Sequence, residues 1–372
     1  MYYIDDFRKA GDLLFNNARY AEAIGFYSIV LERDACNKCM FNRAVSHYRL
    51  GDYSSALSDI ESYLKAGYES DHAYYLKAVA LYYLNEMQDA RDSASKSLEM
   101  NPYSIDSVRI SVLIEISLNQ PPDFSEEIGV HGLIVEKAGD VTRLLTGDRS
   151  LTHSQIHLKS PFTGGFWDIC LAPIFKNPGV SDVLLVGVAA GTIARQYAYF
   201  TESLVDAVDP DTDVFTTCER YFGEKPDRVI LHQTDGLSFL QSCGKHYGAI
   251  VFDAFSGEGV PPELTNEDTL GMVRERLTEN GCFVLNYITP YGPGIKSAIY
   301  DRLLSLFPST YYVEYYSNTL FLSFKEGTSW SEFKKIMENP VDERLKSLGS
   351  IILKNTSREG VGRNNPAPQR TT

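Results

Sequence analysis

Glycine and aspartate residues recur at four points in the second half of this sequence, each directly after a stretch that predicts a buried strand. The four points are Gly187 with Gly191, Asp209 with Asp211, Asp235 with Gly236, and Asp253. Glycine before a helix lets the backbone approach a ligand at the helix N-terminus. A carboxylate about 20 residues further on accepts hydrogen bonds from ribose hydroxyls. In this order the four points predict a nucleotide site, with Asp235 suited to an adenine amino group and catalytic groups near Asp253.

Two kinds of nucleotide chemistry compete for this pattern, and any single aspartate in it is also explained as a helix N-cap. A hydride-transferring dehydrogenase favours a GxGxxG turn. Here Gly187 and Gly191 are separated by three other residues, and the pair Asp235-Gly236 is added. Four correctly ordered points favour binding of an S-adenosyl nucleotide, either S-adenosylmethionine or its decarboxylated form. No set of metal ligands is recognisable, so we expect no metal.

Alternating strands and helices must position these residues. The strands that precede the four points, and one that follows them, are predicted at 183–186, 203–208, 229–232, 249–252 and 282–287. Helical patterns at 193–200 and 214–222 lie between the first three of these strands. This alternation predicts an α/β Rossmann-like fold with a mostly parallel sheet. An antiparallel hairpin at 311–316 and 319–324 is expected at the sheet edge, and a separate β-hairpin at 133–145 before the sheet.

The N-terminal third repeats itself. Three turns, each followed by a large side chain and then by alanine three residues later, are spaced by 33 and 34 residues; they lie at Asn17–Ala23, Gly51–Ala56 and Asn85–Ala90. Apolar residues flank each turn with helical periodicity. Residues 4–102 therefore resemble tetratricopeptide repeats, with a further helix at 105–118 as a cap. Such repeats imply either a surface for a protein partner or a module for self-association.

These patterns divide the chain into four segments. We expect helical repeats at 1–120, a linker at 121–131, the nucleotide-binding domain with its N-terminal β-hairpin at 132–354, and a disordered tail at 355–372. Cys36 and Cys39 fall in the loop between the first two repeats. With no second cysteine pair or paired histidines nearby, a zinc site is not expected, and the two residues are interpreted as loop or packing thiols.

Charge and composition narrow the class of protein. The net charge of −14 argues against broad binding of nucleic acid, which requires a positive surface. No apolar run approaches the roughly 20 residues of a transmembrane helix, and the first residues lack the pattern of a signal peptide. Six scattered cysteines do not form a secreted disulfide framework. We therefore expect a soluble cytoplasmic protein that binds neither nucleic acid nor membrane.

The segment from about Gly132 to Phe324 resembles the spermidine synthase family, within the class I methyltransferase-like fold. The resemblance rests on the hairpin, the four points described above and the Tyr287–Gly294 segment. It implies transfer of an aminopropyl group from decarboxylated S-adenosylmethionine to an amine acceptor. By the same resemblance, Asp209 would hold the ribose, Asp235 the adenine, and Asp253 the substrate side of the nucleotide.

The resemblance fails at one chemically important position. Spermidine synthases carry a second aspartate three residues after the first as proton acceptor, whereas this chain has Ser256 there, and the next carboxylate is Glu258. The candidate catalytic residues are therefore Asp253, Glu258 and Tyr287. The candidate substrate contacts are Gln155, Asp168, Ser256 and Tyr291. A methyltransferase, which depends on alignment more than on a base, is the alternative. A non-catalytic scaffold with a degenerate nucleotide site is the second alternative.

Overall fold

The computed structural model describes residues 4–129, 131–255, 259–288 and 293–357. Its contacts divide the chain into two compact units. The first contains Met1–Glu127 and Leu133–Gly164, and the second contains Ile128–Gly132 and Gly165–Thr372.

Helical hairpins form most of the first unit. The helices are α1 (Ile4–Asn16), α2 (Tyr20–Leu31), α3 (Asn37–Arg49), α4 (Tyr53–Lys65), α5 (Asp71–Tyr83), α6 (Met87–Met100) and α7 (Ile105–Leu118). The side chains of Asp52 and Ser70 cap the starts of α4 and α5. The repeating alanines Ala23, Ala56 and Ala90 are fully buried, as expected where helices approach closely over a small side chain. The predicted helical-repeat region is thus confirmed.

A small antiparallel sheet completes the first unit. Its strands β1 (Phe124–Glu127), β2 (Ile134–Ala138), β3 (Val141–Leu145) and β4 (Thr152–His157) lie in sequence order. The sheet meets α7 through a hydrogen bond of 3.0 Å between His157 Nε2 and Ser111 Oγ. The predicted hairpin is therefore present, but it shares a compact unit with the repeats.

The structure corrects the interpretation of 121–131 as a plain linker. Phe124–Glu127 form β1 and pair with β2. The side chains of this edge strand are largely exposed, so its sequence carries none of the apolar alternation by which a strand is recognised.

The structure also corrects the interpretation of the paired cysteines. Cys36 and Cys39 are joined by a disulfide, where the sequence indicated two thiols. The Cα atoms of the two residues lie 5.2 Å apart, within the range that a disulfide spans, because the first turn of α3 folds the chain back between them.

The second unit contains an eight-stranded sheet in the order β12-β10-β11-β9-β8-β5-β6-β7. Its strands are β5 (Asp182–Val186), β6 (Leu204–Asp209), β7 (Val229–Gln233), β8 (Tyr247–Phe252), β9 (Leu277–Ile288), β10 (Ser309–Tyr315), β11 (Asn318–Phe324) and β12 (Thr356–Ser357). Strands β5 to β9 are parallel, and β11 runs antiparallel to β9 and β10. The predicted Rossmann-like sheet with an antiparallel edge hairpin is confirmed.

Helices connect and cover these strands. They are α8 (Ala172–Lys176), α9 (Thr192–Phe200), α10 (Asp213–Phe222), α11 (Gly236–Ser242), α12 (Pro262–Thr265), α13 (Glu267–Arg276), α14 (Pro293–Leu306), α15 (Trp330–Glu338) and α16 (Lys346–Asn355). A short 3-10 helix at Phe166–Leu171 precedes α8. Within the described ranges, no helix combines the length and apolar character needed to cross a bilayer.

The start of the predicted disordered tail is ordered. Asn355 ends α16, and Thr356 and Ser357 pair with β10 as β12. The remainder of the tail, 358–372, lies outside the described residues.

Candidate nucleotide and catalytic site

The sheet order brings the four sequence-predicted points to one edge. Strand β5 lies between β6 and β8, and β7 lies beyond β6, so the carboxyl ends of these four parallel strands are neighbours. After β5 the chain forms β6 and then β7 on one side of β5, and it then crosses to form β8 on the other side of β5. Ligands of open α/β sheets bind at such a change of direction.

Gly187 occupies a position where no side chain fits. Its backbone has φ of +86°, and a Cβ atom would lie 2.4 Å from the carbonyl oxygen of Asp253. Its N–H donates to the Val208 carbonyl at 2.9 Å. Gly187 is thus held between the ends of β6 and β8, at the centre of the candidate site.

Gly191 serves the packing of the following helix. It precedes α9 with φ of +85°, and a Cβ atom would lie 2.1 Å from the Phe215 ring. Glycine therefore lets the start of α9 approach α10. This close approach fixes the end of the loop that begins at Gly187.

Asp209 ties the glycine loop to the end of β6. One carboxylate oxygen accepts the N–H of Val188 at 2.8 Å, and the other accepts the N–H of Asp211 at 3.0 Å. Since a carboxylate offers about four lone-pair sites, acceptor capacity remains for a ribose hydroxyl. Asp209 is thus held in a fixed orientation beside the loop.

Asp211 is engaged more completely by its own surroundings. One oxygen accepts the N–H of Asp213 at 3.0 Å, at the start of α10, and the other lies 2.5 Å from His131 Nε2. These contacts orient the entry into α10. Asp211 therefore supports the segment that follows Asp209.

Asp235 caps α11, and Gly236 lets that helix pack closely. The Asp235 carboxylate accepts the N–H of Ser238 at 2.8 Å, and this hydrogen bond lowers the pKa of the exposed side chain. A Cβ on Gly236 would lie 2.5 Å from Val186 Cγ1, at the end of β5. An ionised carboxylate is thus presented beside the carboxyl end of β7.

Asp253 has the most perturbed carboxyl of the four points. Burial raises the pKa of Asp253 to about 7, and the hydrogen bond that Asn286 Nδ2 donates to it at 2.8 Å opposes this shift. The N–H of Asp253 donates to the Val186 carbonyl at 2.8 Å, which anchors it next to β5. A carboxyl of this pKa can exchange a proton near neutral pH.

Two asparagines that the sequence did not single out hold this carboxyl. Asn318 Nδ2 donates to Asn286 Oδ1 at 2.9 Å, so Asn286 turns its own amide donor toward Asp253. Both asparagines are nearly fully buried. A polar residue inside the apolar stretch 282–287 was the available signal for Asn286. Asn318 follows only from the antiparallel register of β9 and β11.

The remaining candidates are less closely connected with these residues. Tyr287 is 2% exposed and packs in a core cluster with Phe252 and Phe321. Asp168, buried in the 3-10 helix, accepts a hydrogen bond of 2.6 Å from Gln196 Nε2. Gln155 is buried in β4 of the first unit and donates to the Thr163 carbonyl at 2.8 Å. Ser256, Glu258 and Tyr291 lie outside the described residues.

Among the residues that the structure describes, there is no group of three or more His, Cys, Asp or Glu side chains that could hold a metal ion. The site residues themselves are glycines and carboxylates; backbone N–H groups donate to Asp209, Asp211 and Asp235, and the Asn286 amide donates to Asp253.

Two family models match parts of the chain. Residues 41–105 match the tetratricopeptide repeat, and residues 168–292 match the spermine/spermidine synthase domain. The second match includes Gly187, Asp209, Asp235 and Asp253.

Curated relatives also match part of the chain. The chain is 27% identical over 229 residues to a "Probable polyamine aminopropyl transferase" of Bifidobacterium longum, covering 59% of this chain and 48% of the relative. It is 28% identical over 132 residues to a "Polyamine aminopropyltransferase" of Streptococcus uberis, covering 34% of this chain and 46% of the relative. The chain thus spans just under half the length of these relatives.

Among solved structures, a spermidine synthase in complex with the transition-state analogue AdoDATO is similar, at 15% identity and a TM-score of 0.49. The similarity covers 63% of this chain and 84% of that one. The two family models confirm the resemblance that the motifs indicated: residues 41–105 are similar to the tetratricopeptide repeat, and residues 168–292 are similar to the spermine/spermidine synthase domain.

Proposed function

We propose that this chain is a transferase that moves an aminopropyl group from decarboxylated S-adenosylmethionine to an amine acceptor. The observation that carries the proposal is the Asp253 carboxyl, whose pKa is raised to about 7 by burial at the carboxyl end of β8. An amine nucleophile must lose a proton, and a carboxylate with a raised pKa is a better acceptor for that proton. The names of the curated relatives support the same reaction.

The glycine loop and two carboxylates would hold the nucleotide. Gly187 leaves room where any side chain would collide with the backbone at Asp253. Asp209, fixed by the N–H groups of Val188 and Asp211, would accept a ribose hydroxyl. Asp235, exposed and ionised, would accept from the adenine amino group. Asp211 would act indirectly, because its oxygens already contact Asp213 and His131.

The step itself is a displacement at carbon. The amine lone pair forms a C–N bond to the activated methylene, the C–S bond breaks, and methylthioadenosine leaves as a neutral thioether. The proton lost from nitrogen passes to the Asp253 carboxylate. Because Ser256 stands where the related enzymes carry a second aspartate, Asp253 takes the proton-accepting role in this proposal. Glu258 is the alternative acceptor, and Tyr287 and Asp168 support the walls of the site rather than the proton transfer.

The choice of donor separates this proposal from methyl transfer. Calorimetric titration of the full chain with S-adenosylmethionine, its decarboxylated form and methylthioadenosine supplies the test. We expect binding of the decarboxylated form and of methylthioadenosine to be at least about tenfold tighter than that of S-adenosylmethionine, a difference of about 1.4 kcal/mol. Tighter binding of S-adenosylmethionine would favour a methyltransferase. Absence of binding to all three by folded protein would favour the scaffold.

The helical repeats are proposed to bind a protein partner or a second copy of the chain, and the protein is proposed to act in the cytoplasm. Light scattering of the full chain over a range of concentrations tests self-association. A mass that rises to twice that of the monomer supports it, and a constant monomer mass assigns the repeats to another partner.

A further inference from the structure

We propose that Cys36 and Cys39 form a reversible dithiol–disulfide centre, separate from the nucleotide site, which exchanges with low-molecular-weight thiols and disulfides. The two residues form a C-x-x-C pair at the start of α3 and are joined in the structure. The other cysteines of the described residues, Cys170, Cys218, Cys243 and Cys282, carry no disulfide.

The disulfide closes too short a loop to act mainly as a structural bridge. Only two residues separate the cysteines, and the entropy that a disulfide removes from the unfolded chain grows with the length of the loop it closes. The same region is already held by hydrogen bonds to Asp12, which accepts from Tyr27 at 2.9 Å and from the Lys38 ammonium at 2.7 Å. Because this disulfide contributes little to the stability of the fold, it can be broken and formed again without unfolding the repeats.

The two sulfurs differ in accessibility, as thiol–disulfide exchange requires. Cys36 is partly exposed at the N-cap, whereas Cys39 is fully buried beside Tyr27 and Val30. A dissolved thiol or disulfide can therefore reach Cys36 and not Cys39. Exchange then proceeds through Cys36, with Cys39 as the resolving residue.

The helix start favours the thiolate of Cys36 after reduction. Cys36 Sγ accepts the N–H of Cys39 at 3.2 Å. An N–H group and the positive end of a helix dipole stabilise a thiolate at this position, and the thiolate is the reactive form.

A low-molecular-weight disulfide, RSSR, oxidises the protein dithiol in two exchange steps. The Cys36 thiolate attacks one sulfur of RSSR, forms a mixed disulfide and releases RS⁻. Cys39 then loses its proton and attacks Cys36 Sγ, which forms the protein disulfide and releases the second RS⁻. Two electrons pass from the protein dithiol to RSSR, and an excess of RSH reverses both steps.

Glutathione buffers of increasing oxidised fraction test the proposal on the folded full chain, with thiols trapped by alkylation and located by mass spectrometry. We expect Cys36 and Cys39 to lose their thiols together while the other four cysteines keep theirs, and excess reduced glutathione to restore both. A pair that stays disulfide-bonded in excess reduced glutathione, or stays reduced in excess oxidised glutathione, would overturn the proposal.

Single substitutions locate the attacking sulfur. Cys39→Ser should accumulate a glutathione adduct on Cys36, while Cys36→Ser should lose about nine-tenths of adduct formation at this pair, because Cys39 is buried. Cys243→Ser, at a partly exposed thiol outside the pair, serves as the matched control and should behave as the unaltered chain. Equal adducts on Cys36 and Cys39, or none on either, would contradict the mechanism. If a variant fails to fold, the glutathione titration of the unaltered chain decides.

Discussion

At the scale of single residues, the account depends on how protein groups hold the Asp253 carboxyl. Burial disfavours its ionised form, and the Asn286 amide favours it. The resulting pKa, about 7, makes both the proposed reaction and the stability of the protein depend on the charge of this one group.

Replacing Asn286 should move the pH dependence of turnover. Asn286→Leu removes the hydrogen bond that stabilises the ionised carboxylate, so the pKa of Asp253 rises further. The rising limb of the rate against pH should shift upward by about one unit, which corresponds to about 1.4 kcal/mol. Asn318→Leu, which loosens Asn286 without touching Asp253, should give a smaller shift in the same direction. If folded Asn286→Leu shows the same pH dependence of turnover as the unaltered chain, Asn286 does not set the pKa of Asp253.

Replacing Asp253 should stabilise the protein at alkaline pH. The folded-state pKa of about 7 lies above the value of about 3.9 for an unfolded aspartate, so ionisation costs the folded state free energy as pH rises between these values. Asp253→Asn removes this cost and should raise the free energy of unfolding by about 1 to 2 kcal/mol at pH 8, with little change at pH 4. Denaturant unfolding at both pH values measures it. Asp253→Asn that is less stable than the unaltered chain at pH 8 would contradict a raised pKa.

The sequence predicted the site residues that follow each strand, but it did not predict the side chains that hydrogen-bond to them. Asp209 and Asp253 were identifiable because both come directly after apolar stretches. The two asparagines that hold Asp253 were not identifiable, because Asn286 and Asn318 are 32 residues apart in sequence and meet only when β9 and β11 pair. The paired cysteines were visible as a motif, but spacing alone does not reveal that they are joined.

At the scale of elements, the glycine loop between β5 and α9 controls the site. Gly187, at the start of this loop, cannot be exchanged for alanine without moving the backbone at Asp253.

Gly187→Ala should impair both folding and nucleotide binding. The new Cβ would lie 2.4 Å from the Asp253 carbonyl oxygen, at a φ of +86° that disfavours side chains. We expect the free energy of unfolding to fall by about 2 kcal/mol and the affinity for methylthioadenosine to fall at least about tenfold. Gly244→Ala is the matched control, because nothing lies within 4 Å of its Cβ position and its φ is ordinary. Equal effects of the two substitutions would show that the loop has no special requirement at Gly187.

Helices and strands with a regular apolar pattern were predictable from the sequence. Strands that form only because a neighbouring strand offers a partner were not. The repeats and the strands β5 to β9 follow from apolar patterns that local sequence carries. Strand β1 is polar and exposed, and the short β12 exists only because β10 offers a partner edge. The hairpin of β2 and β3 was predictable as a hairpin, but local sequence did not reveal that its sheet contacts α7.

At the scale of the whole molecule, the two compact units do not coincide with the sequence-predicted segments. The predicted boundary assigns β2 to β4 to the nucleotide-binding domain, whereas the contacts group these strands with the helical repeats. Contacts from α7 to this sheet, such as that of Ser111 with His157, explain the grouping.

Native-state hydrogen exchange should therefore report β2 to β4 opening together with α5 to α7. Segments that share a packed core open cooperatively, and those of a separate unit open at their own free energy. Amides of β5 to β9 provide the comparison within the same sample. If the amides of β2 to β4 instead open with β5 to β9 as denaturant increases, the sequence-predicted boundary would be the better description.

The central claim, transfer of an aminopropyl group with Asp253 as proton acceptor, is tested most directly by the formation of methylthioadenosine from decarboxylated S-adenosylmethionine and an aliphatic diamine. The account predicts turnover by the full chain, a loss of about a hundredfold or more in Asp253→Asn, and unchanged turnover in the exposed control Asp301→Asn. Equal rates in Asp253→Asn and the unaltered chain would contradict the role of Asp253. Absence of methylthioadenosine with every diamine, from protein that binds the donor, would contradict the transfer itself.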